Sequence, residues 1–383
     1  MSNEASAGIP KKKRRRGTLA SIAAELGISR TSVSNAYNRP DQLSDELRER
    51  IMATADKLGY PGPDPMARSL RTRKVGAMGV LFTEQLSFAF EDPASTDFLA
   101  GLSEALGERG ESMVVIPAAS TGGEGDVRAL NMIRRALVDK FVVYSVAEND
   151  PFLKSVMERE LPTVICDQPT NVEELPFVGI DDREAIKPAV RHLLELGHRK
   201  IGILSVRLSR VRNDGPVERE RLDNAHHHVQ KFRVEGALDA LAEAGIEFAE
   251  VPIIERHLNN RENNMDAARE LLEAHPDLTA VVCTTDTQAL GVMNYCREEG
   301  IRIPEDLSVT GFDGIQLARV LGVTTVSQPN KDKGREVGRM LVNSDDDGNG
   351  TTPAIRRILP TEFIPGKTTA APRETETMGQ LQG

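Results

Sequence analysis

The stretch GTLASIAAELGISRTSVSNAYN, residues 17–38, decides how this chain is organised. Apolar side chains recur every three to four residues from Leu19 to Leu26, directly after the capping candidate Thr18, which predicts a short amphipathic helix. Gly27 supplies the left-handed residue that ends this helix, and Ser29 can cap a second one. Two helices joined by so short a turn are typical of a helix-turn-helix.

The second of these helices turns a polar face outward. Val33 and Ala36 form its apolar side. The outward residues are Arg30, Thr31, Ser34, Asn35 and Asn38. Such side chains can make bidentate hydrogen bonds to base edges in a DNA major groove, so we interpret this helix as a recognition helix. An ordinary helical hairpin with a polar solvent face is the alternative.

A third helix is predicted after Ser44, with acidic residues in its first turn and Gly59 at its end. The three helices together resemble the DNA-binding headpiece of the LacI/GalR family of bacterial transcription regulators. The resemblance is carried by TLASIAAELGISRTSVSNAYN, LSDELRERIMATADKLGY and ARSL, which begin at positions 18, 43 and 67. It implies a headpiece over residues 18–62.

The resemblance also implies roles for individual headpiece residues. Arg30, Thr31 and Asn35 would read base edges, each good bidentate pair adding about 1–3 kcal/mol of discrimination. Phosphate contacts are implied for Thr18, Ser29, Ser32, Ser34, Asn38 and Ser44. Capping alone is an alternative explanation of Ser29 and Ser44.

Residues 63–74, PDPMARSLRTRK, read as a linker that contains a short helix. Asp64 and Pro65 form an N-cap and first-turn pair, but a helix of about seven residues is marginal alone in water. We therefore expect it to fold only on DNA. The resemblance makes it the hinge helix, with Leu70 wedged from the minor groove into a base step. A plain contact of Leu70 with the body is the alternative.

Charge is distributed unevenly along the chain. Residues 1–74 carry 15 Lys plus Arg against 8 Asp plus Glu, while the whole chain has 48 against 58, which leaves 33 against 50 for the remainder. A basic head fits a polyanionic partner. Residues 1–17, with the run KKKRRR, are expected to be a disordered basic arm that either follows DNA or only raises nonspecific affinity.

Several classes of protein are disfavoured. No apolar run approaches the ~20 residues of a membrane span and no signal peptide is apparent, so we expect a cytoplasmic, nucleoid-associated bacterial protein. Cys166, Cys283 and Cys296 lie in apolar contexts without metal-ligand spacing. Neither GxGxxG nor GxxxxGK[ST] occurs, and no catalytic arrangement is visible. We expect no enzyme activity, no cofactor and no metal site.

From residue 75 onward, apolar runs alternate with helical patterns, which predicts parallel, doubly wound sheets. The alternation starts again near Lys200, so we expect an α/β body of two lobes with a ligand cleft at the strand ends. The body resembles the LacI/GalR regulatory domain, itself similar to periplasmic binding proteins. The matching segments include VGIDDREAIKPAVRHLLELGHRKIGIL, RVEGALDALAEAGI, AVVCTTDTQALGV, IPEDLSVTGFDG and VTTVSQP.

The resemblance implies chain crossings near Gly197, Gln328 and Ile358. The N-terminal lobe would then hold residues 76–196 and 329–356, and the C-terminal lobe residues 197–328 and 358–366. Residues 367–383 are expected to be a disordered tail. The resemblance further implies effector contacts from Arg233, Asp286 and Asp313, with a structural salt bridge or helix cap as the alternative for each.

The segment from Arg207 to Phe232, which contains His226, His227 and His228, departs most from the family pattern. We expect a mobile polar loop near the cleft mouth, or else effector or partner contacts. Thr285 replaces a usual asparagine, and the stacking aromatic of the family has no clear match; His257 and Phe82 are the candidates.

The function that the resemblance implies is a homodimeric regulator, a repressor rather than an activator. It would bind a pseudo-palindromic double-stranded DNA operator, with affinity modulated by a small-molecule effector in the cleft. The alternative is the same DNA-binding regulator responding to a protein co-regulator or to no small molecule.

Overall fold

The structure is a computed structural model that describes residues 17–63, 74–82, 90–118, 123–343 and 354–373. The chain divides into two compact units, residues 1–75 and 76–383. Residues 1–16 of the predicted arm lie outside the described residues. The same is true of residues 64–73, which include Leu70 and most of the predicted hinge helix.

The first unit is a bundle of three helices. They are α1 (Leu19–Leu26), α2 (Arg30–Asn38) and α3 (Asp45–Leu58). Ile22, Val33 and Ile51, one from each helix, are fully buried and form its core. Gly27 ends α1 with φ of 67°, a left-handed conformation that favours glycine. The helix-turn-helix prediction is confirmed as local structure.

The first lobe of the second unit is built on a parallel sheet. Its strands are β1 (Ala77–Phe82), β2 (Ser112–Pro117), β3 (Lys140–Tyr144), β4 (Thr163–Cys166), β5 (Phe177–Gly179) and, much later, β12 (Arg356–Ile358). Within the described ranges, the six strands have the order β12-β5-β4-β3-β1-β2. The helices that cover them are α4 (Pro93–Gly107), α5 (Glu124–Arg135), α6 (Pro151–Met157) and α13 (Asn330–Asn343).

The second lobe repeats the arrangement. Its strands are β6 (Ile201–Val206), β7 (Gly215–Pro216), β8 (Ile253–Arg256), β9 (Ala280–Cys283), β10 (Ser308–Asp313), β11 (Thr324–Ser327) and β13 (Glu362–Ile364). Its helices are α7 (Asp182–Glu195), α8 (Arg219–Asp223), α9 (His228–Glu243), α10 (Arg261–Ala274), α11 (Asp286–Glu299) and α12 (Gln316–Leu321). The described strands have the order β13-β11-β10-β9-β6-β8-β7, antiparallel only at the two ends. The predicted fold class is confirmed.

The assignment of residues 182–196 to the first lobe was wrong. Helix α7 packs on the second sheet, where Ile186, Val190 and Leu193 share a core with Ile203. Its neighbour α9 approaches so closely at Gly236 that an added Cβ would overlap the carbonyl oxygen of Arg183. The chain therefore changes lobe directly after β5, before α7 begins, rather than near Gly197.

Helix α13 returns the chain to the first lobe, where Val337 and Leu341 join the core around α4. Glycines permit this contact, since a Cβ at Gly101 would overlap the carbonyl oxygen of Lys331. The last crossing lies between β12, in the first sheet, and β13, in the second. The chain thus crosses between the lobes three times, and these three crossings form the hinge.

The segment Lys367–Arg373, expected to be disordered, lies instead along the second lobe. Thr368 is 3% exposed, and its hydroxyl donates to the Val309 carbonyl at 2.6 Å. The Val309 amide in turn donates to the Thr368 carbonyl at 2.8 Å. Short polar residues are typical of a tail, but here they pair with the backbone of β10. Residues 374–383 lie outside the described residues.

Among the described helices, none is long and apolar enough to cross a membrane. The three cysteines are buried and unpaired, as their apolar sequence contexts predict.

Candidate nucleic-acid interface and ligand cleft

The first turn of α2 presents side chains with unused hydrogen-bonding capacity. Arg30 and Thr31 are exposed, and neither side chain makes a hydrogen bond to any described residue. Asn35, one turn later, donates from Nδ2 to Oε1 of Gln42 at 3.2 Å. Gln42, which its sequence context does not single out, lies on the 3₁₀ turn Pro40–Gln42. The arrangement can offer donors from Arg30 and Thr31 and acceptors from Asn35 to a ligand.

The hydroxyl residues of the head act as helix caps. Thr18 Oγ1 accepts from the Ser21 amide at 3.1 Å, Ser29 Oγ from the Ser32 amide at 3.0 Å, and Ser44 Oγ from the Leu47 amide at 3.4 Å. Each such bond satisfies one of the unpaired amides at a helix start. Capping is therefore present at Ser29 and Ser44, while phosphate contact stays a prediction.

The remaining predicted phosphate ligands are partly engaged within the helix. Ser32 Oγ lies 2.9 Å from Ser29 Oγ. Asn38 Nδ2 donates to the Ser34 carbonyl at 2.9 Å and lies 3.2 Å from Ser34 Oγ. The Asn38 oxygen and the Ser34 hydroxyl keep further capacity for an outside partner.

A cleft opens between the carboxyl ends of the two sheets. Its volume is about 860 Å³, including the space that is open to solvent. The described first-lobe residues that line it are Phe82, Asp92, Ala94, Ser95, Tyr144, Ser145, Asp167 and Gln168. From the second lobe and the hinge come Val206, Arg207, His227, Val229, Gln230, Arg233, His257, Asn259, Thr285, Asp313 and Gln328. Both aromatic candidates, Phe82 and His257, are therefore cleft residues.

Backbone strain is concentrated at this cleft. Ser145, Asp167, Arg207 and Asp313 have φ of 51°, 67°, 21° and 116°, and each follows or ends a strand. They are four of the six described non-glycine residues with positive φ, and all four line the cleft. Since such conformations cost of order 1–3 kcal/mol each, their clustering makes the cleft a candidate functional site.

Arg233 and Asp313, two of the predicted effector residues, form a buried ionic cluster in the cleft wall. Arg233 Nη1 lies 3.2 Å from Asp313 Oδ1, and Arg233 Nε donates to Asp182 Oδ1 at 2.8 Å. The guanidinium also lies over the Phe312 ring, 3.8 Å from its centroid. Burial raises the pKa of Asp313, and Arg233 opposes that rise. The structural salt bridge is present, and effector contact stays a prediction.

Asp286 does not line the cleft, so its expected effector contact is not supported. Its side chain is fully buried, with Oδ2 accepting from the Ile315 amide at 2.8 Å and Oδ1 from the Thr325 hydroxyl at 2.6 Å. Burial raises the pKa of this carboxyl to about 6. Asp286 holds the loop after β10 in place, while its neighbour Thr285 faces the cleft.

A second ionic group, missed in the sequence, continues this cluster into the first lobe. Lys333 on α13 is 1% exposed, and its Nζ donates to Asp167 Oδ1 at 2.7 Å and to Gln328 Oε1 at 2.5 Å. Gln328 Nε2 donates to Asp313 Oδ1 at 2.6 Å. Its spacing from Val337 places Lys333 on the same helix face, but nothing in the sequence marks it as an ionic partner of Asp167. The chain Asp167–Lys333–Gln328–Asp313–Arg233 thus runs through the hinge from one lobe to the other.

The insert, residues 207–232, is not the mobile loop that was expected. It contains β7, which pairs with β8, and the short helix α8. Its anchor is Glu255, fully buried, whose carboxylate accepts from the Leu208 amide and from Arg221, each at 2.8 Å through Oε1. A buried carboxylate with several donors fixes the surrounding backbone, because leaving it unpaired would be costly.

Two polar atoms in the cleft have no partner among the described residues. They are Gln230 Oε1 and His257 Nδ1, and both are buried from solvent. Buried polar groups are normally hydrogen-bonded, so these atoms mark positions where a bound molecule can supply the missing partners. Among the residues described, no cluster of His, Cys, Asp or Glu is arranged to hold a metal ion.

Known proteins resemble this chain along most of its length. A family model described as a periplasmic binding protein-like domain matches residues 190–369. The HTH-type transcriptional regulator IpsA of Corynebacterium glutamicum is 53% identical over 359 residues, which cover 94% of this chain and 99% of IpsA.

Solved structures agree. A crystal structure of a LacI-family transcriptional regulator from Corynebacterium glutamicum is 49% identical with a TM-score of 0.72, covering 92% of this chain and 99% of that one. A complex of the transcriptional regulator CelR with cellobiose is 27% identical with a TM-score of 0.66, covering 92% and 100%. These relatives are transcriptional regulators rather than enzymes.

Proposed function

The chain belongs to the LacI/GalR family of transcriptional regulators, and we propose that it is a repressor whose operator affinity is set by a small molecule bound in the interlobe cleft. The observation that supports the ligand most strongly is the cleft itself. Its lining includes four strained residues and many polar side chains, with two buried polar atoms that lack a partner among the described residues.

We propose that the ligand is neutral and polyhydroxylated rather than anionic. The lining carries three carboxylates, Asp92, Asp167 and Asp313, against the two guanidinium groups of Arg207 and Arg233. Behind the lining, Lys333 pairs with Asp167 and Asp182 pairs with Arg233, so the whole site holds four carboxylates against three cations, a formal charge of −1. A net anion would gain little in such a site, whereas hydroxyls can both donate to Gln230 Oε1 and accept from arginine. The CelR–cellobiose complex, with the same fold, supports a carbohydrate-like guest.

The headpiece would supply sequence recognition. We propose that Arg30, Thr31 and Asn35 contact base edges, because two of them are exposed at the start of α2 with unused donors. Thr18, Ser29, Ser32, Ser34, Asn38 and Ser44 would contact phosphates and set the register. Leu70, outside the described residues, keeps its proposed role as a minor-groove wedge.

We propose a homodimer, which would match a pseudo-palindromic operator. Support comes from apolar side chains left exposed on the body. Leu317, Val320 and Leu321 on α12 are 56%, 75% and 48% exposed, and Val127, Met132 and Leu137 form a second such group around α5. Exposed apolar groups of this kind commonly mark protein interfaces. Val320→Glu is expected to shift the chain towards monomer in sedimentation analysis, whereas Val211→Glu, on an equally exposed valine of the insert, is not.

Coupling between the cleft and DNA follows from linkage. A ligand that prefers one arrangement of the lobes shifts operator affinity only by its differential affinity, and about 1–3 kcal/mol gives a 5- to 150-fold change. The ligand test is a thermal-shift screen of sugars and polyols, in which a guest at 100 times its Kd adds about 2.7 kcal/mol. A hit must also change binding to an inverted-repeat duplex. Stabilisation by no neutral polyol, but by a protein co-regulator, would favour the alternative function.

A further inference from the structure

The insert makes polar contacts with the first lobe, although its own backbone belongs to the second. The Glu148 amide donates to the His226 carbonyl at 2.8 Å, and the Val229 amide donates to Gln168 Oε1 at 2.9 Å. Glu148 and Gln168 follow β3 and β4 of the first lobe. The two lobes are therefore tied at a place separate in sequence from the three hinge crossings.

Two consecutive histidines strengthen this tie. The Thr170 amide donates to His228 Nδ1 at 3.1 Å, and His228 Nε2 lies 3.2 Å from Glu148 Oε2. Because a backbone N–H can only donate, Nδ1 must be the acceptor, and Nε2 then carries the proton that it donates to the carboxylate. His228 thus bridges two first-lobe residues with both ring nitrogens in use.

His227 joins the same tie to the ligand cleft. Its Nδ1 lies 3.1 Å from Gln168 Nε2, and the ring is 5% exposed and lines the cleft. The Gln168 amide is held at both ends, because Oε1 accepts from the Val229 amide and Nε2 also donates to the Ser145 carbonyl at 3.2 Å. Gln168 is therefore a cleft residue whose orientation depends on the insert of the opposite lobe.

We propose that residues 207–232 form an interlobe strap, which holds the two walls of the cleft together through His227 and His228 and orients Gln168 for the ligand. Closure of the body then depends on the strap as well as on the guest. The strap itself does not depend on the proposed function. Only the effect of closure on DNA binding rests on that function.

Hydrogen exchange of the full-length chain tests the strap without ligand or DNA. His228→Phe keeps a flat ring but removes the hydrogen bonds of His228 to the Thr170 amide and to Glu148. Glu148→Ala removes only the second of these bonds, by a change at a partly exposed residue. The informative amides are Val229 in both variants and Glu148 in His228→Phe, since their own acceptors, Gln168 Oε1 and the His226 carbonyl, are left in place. We expect their protection to fall at least tenfold, while the Val217 amide, bonded within the second lobe to Ile253, stays protected.

The matched control is Glu243→Gln, which weakens the Arg191–Glu243 pair inside the second lobe at 3.0 Å. It should leave all strap amides unchanged. If strap amides keep their protection in Glu148→Ala, the strap is overturned, even where His228→Phe fails to fold. Equal loss in the Glu243→Gln control would also overturn it, because the effect would then not be specific to the interface between the lobes.

A distance measurement gives an independent readout. Spin labels at Glu173→Cys and Glu298→Cys, both exposed and on different lobes, report the lobe separation, and the native cysteines are buried. We expect Glu148→Ala to lengthen or broaden this distance and Glu243→Gln to leave it unchanged. An unchanged distribution in Glu148→Ala would show that the contacts only shape the cleft wall. Neither measurement depends on a ligand, so failure of the strap is distinguishable from failure of the proposed function.

Discussion

Helix α2 and the cleft hold their candidate functional side chains in opposite ways. On α2, Arg30 and Thr31 are exposed and make no hydrogen bond to the described residues. In the cleft wall and directly behind it, Arg233 and Lys333 are buried and bonded on several sides. We therefore expect that substitutions on the exposed face of α2 can change DNA specificity without loss of stability, whereas substitutions in the cleft should alter ligand binding and folding together.

The largest expected effect is on the cleft side. Arg233→Met leaves Asp182 and Asp313 buried without their cation, so we expect a loss of about 3–5 kcal/mol in the free energy of unfolding. Urea denaturation measures it. Arg183→Met is the control, since Arg183 pairs with Asp239 at 2.7 Å near the surface and should lose less than about 1 kcal/mol. Similar losses in both variants would break the comparison.

On the head side, Arg30→Ala should leave unfolding unchanged. We expect it to lose about 1–3 kcal/mol of discrimination at one base pair of each half-site, because a bidentate contact would be removed. Titration of single-base operator variants measures this. A uniform weakening across all sequences would make Arg30 a phosphate contact instead.

Ser29 tests whether a cap also contacts phosphate. Ser29→Ala should destabilise the head by about 1 kcal/mol through loss of the bond from the Ser32 amide. Ser29→Asp keeps an acceptor for that amide but places a negative charge beside DNA. If Ser29 contacts phosphate, the Asp variant folds normally yet binds DNA more weakly; normal DNA binding by that variant would leave Ser29 as a cap only.

The stability of the body is also expected to depend on pH through His227. Burial, and then the neighbouring Arg207, hold the pKa of His227 well below its ordinary value. Below pH ~6.5 the unfolded chain takes up a proton at this residue and the folded one does not, so acid removes stability. Relative to His227→Gln, the native protein should lose stability as the pH falls below 6.5, with a slope that approaches about 1.4 kcal/mol per pH unit. Parallel pH profiles would contradict the buried, neutral histidine.

The sequence predicts helices and their ends better than it predicts which elements pack against each other. Helix-turn-helix caps are local signals, and Thr18, Ser29 and Ser44 all cap the helices that they precede. The apolar face of α7 is equally clear in the sequence. Its periodicity indicates that one face of the helix is buried, but not which sheet it packs against. Its placement depends on the close approach at Gly236, a contact between distant parts of the chain.

The cleft was predictable as a place and only partly as a set of residues. Arg233 and Asp313 follow from the family resemblance. Thr285 and Asp286 are consecutive residues after β9, and only the fold decides which of them lines the cleft. Lys333 looks like any helix lysine. The charged composition of the insert suggests a solvent-exposed loop, because composition does not reveal that Glu255 is buried beneath it.

The segment Lys367–Arg373 has a practical consequence for where the chain can be shortened. A protein cut after Gly366 would lose the Ala370 carbonyl that accepts from His198 Nε2 at 2.8 Å, and the Thr368 backbone that covers β10. His198 is 1% exposed, so truncation after Gly366 would expose its imidazole, and part of the β10 backbone, to solvent. Affinity tags and protease sites therefore belong after Arg373, beyond the described segment that pairs with β10.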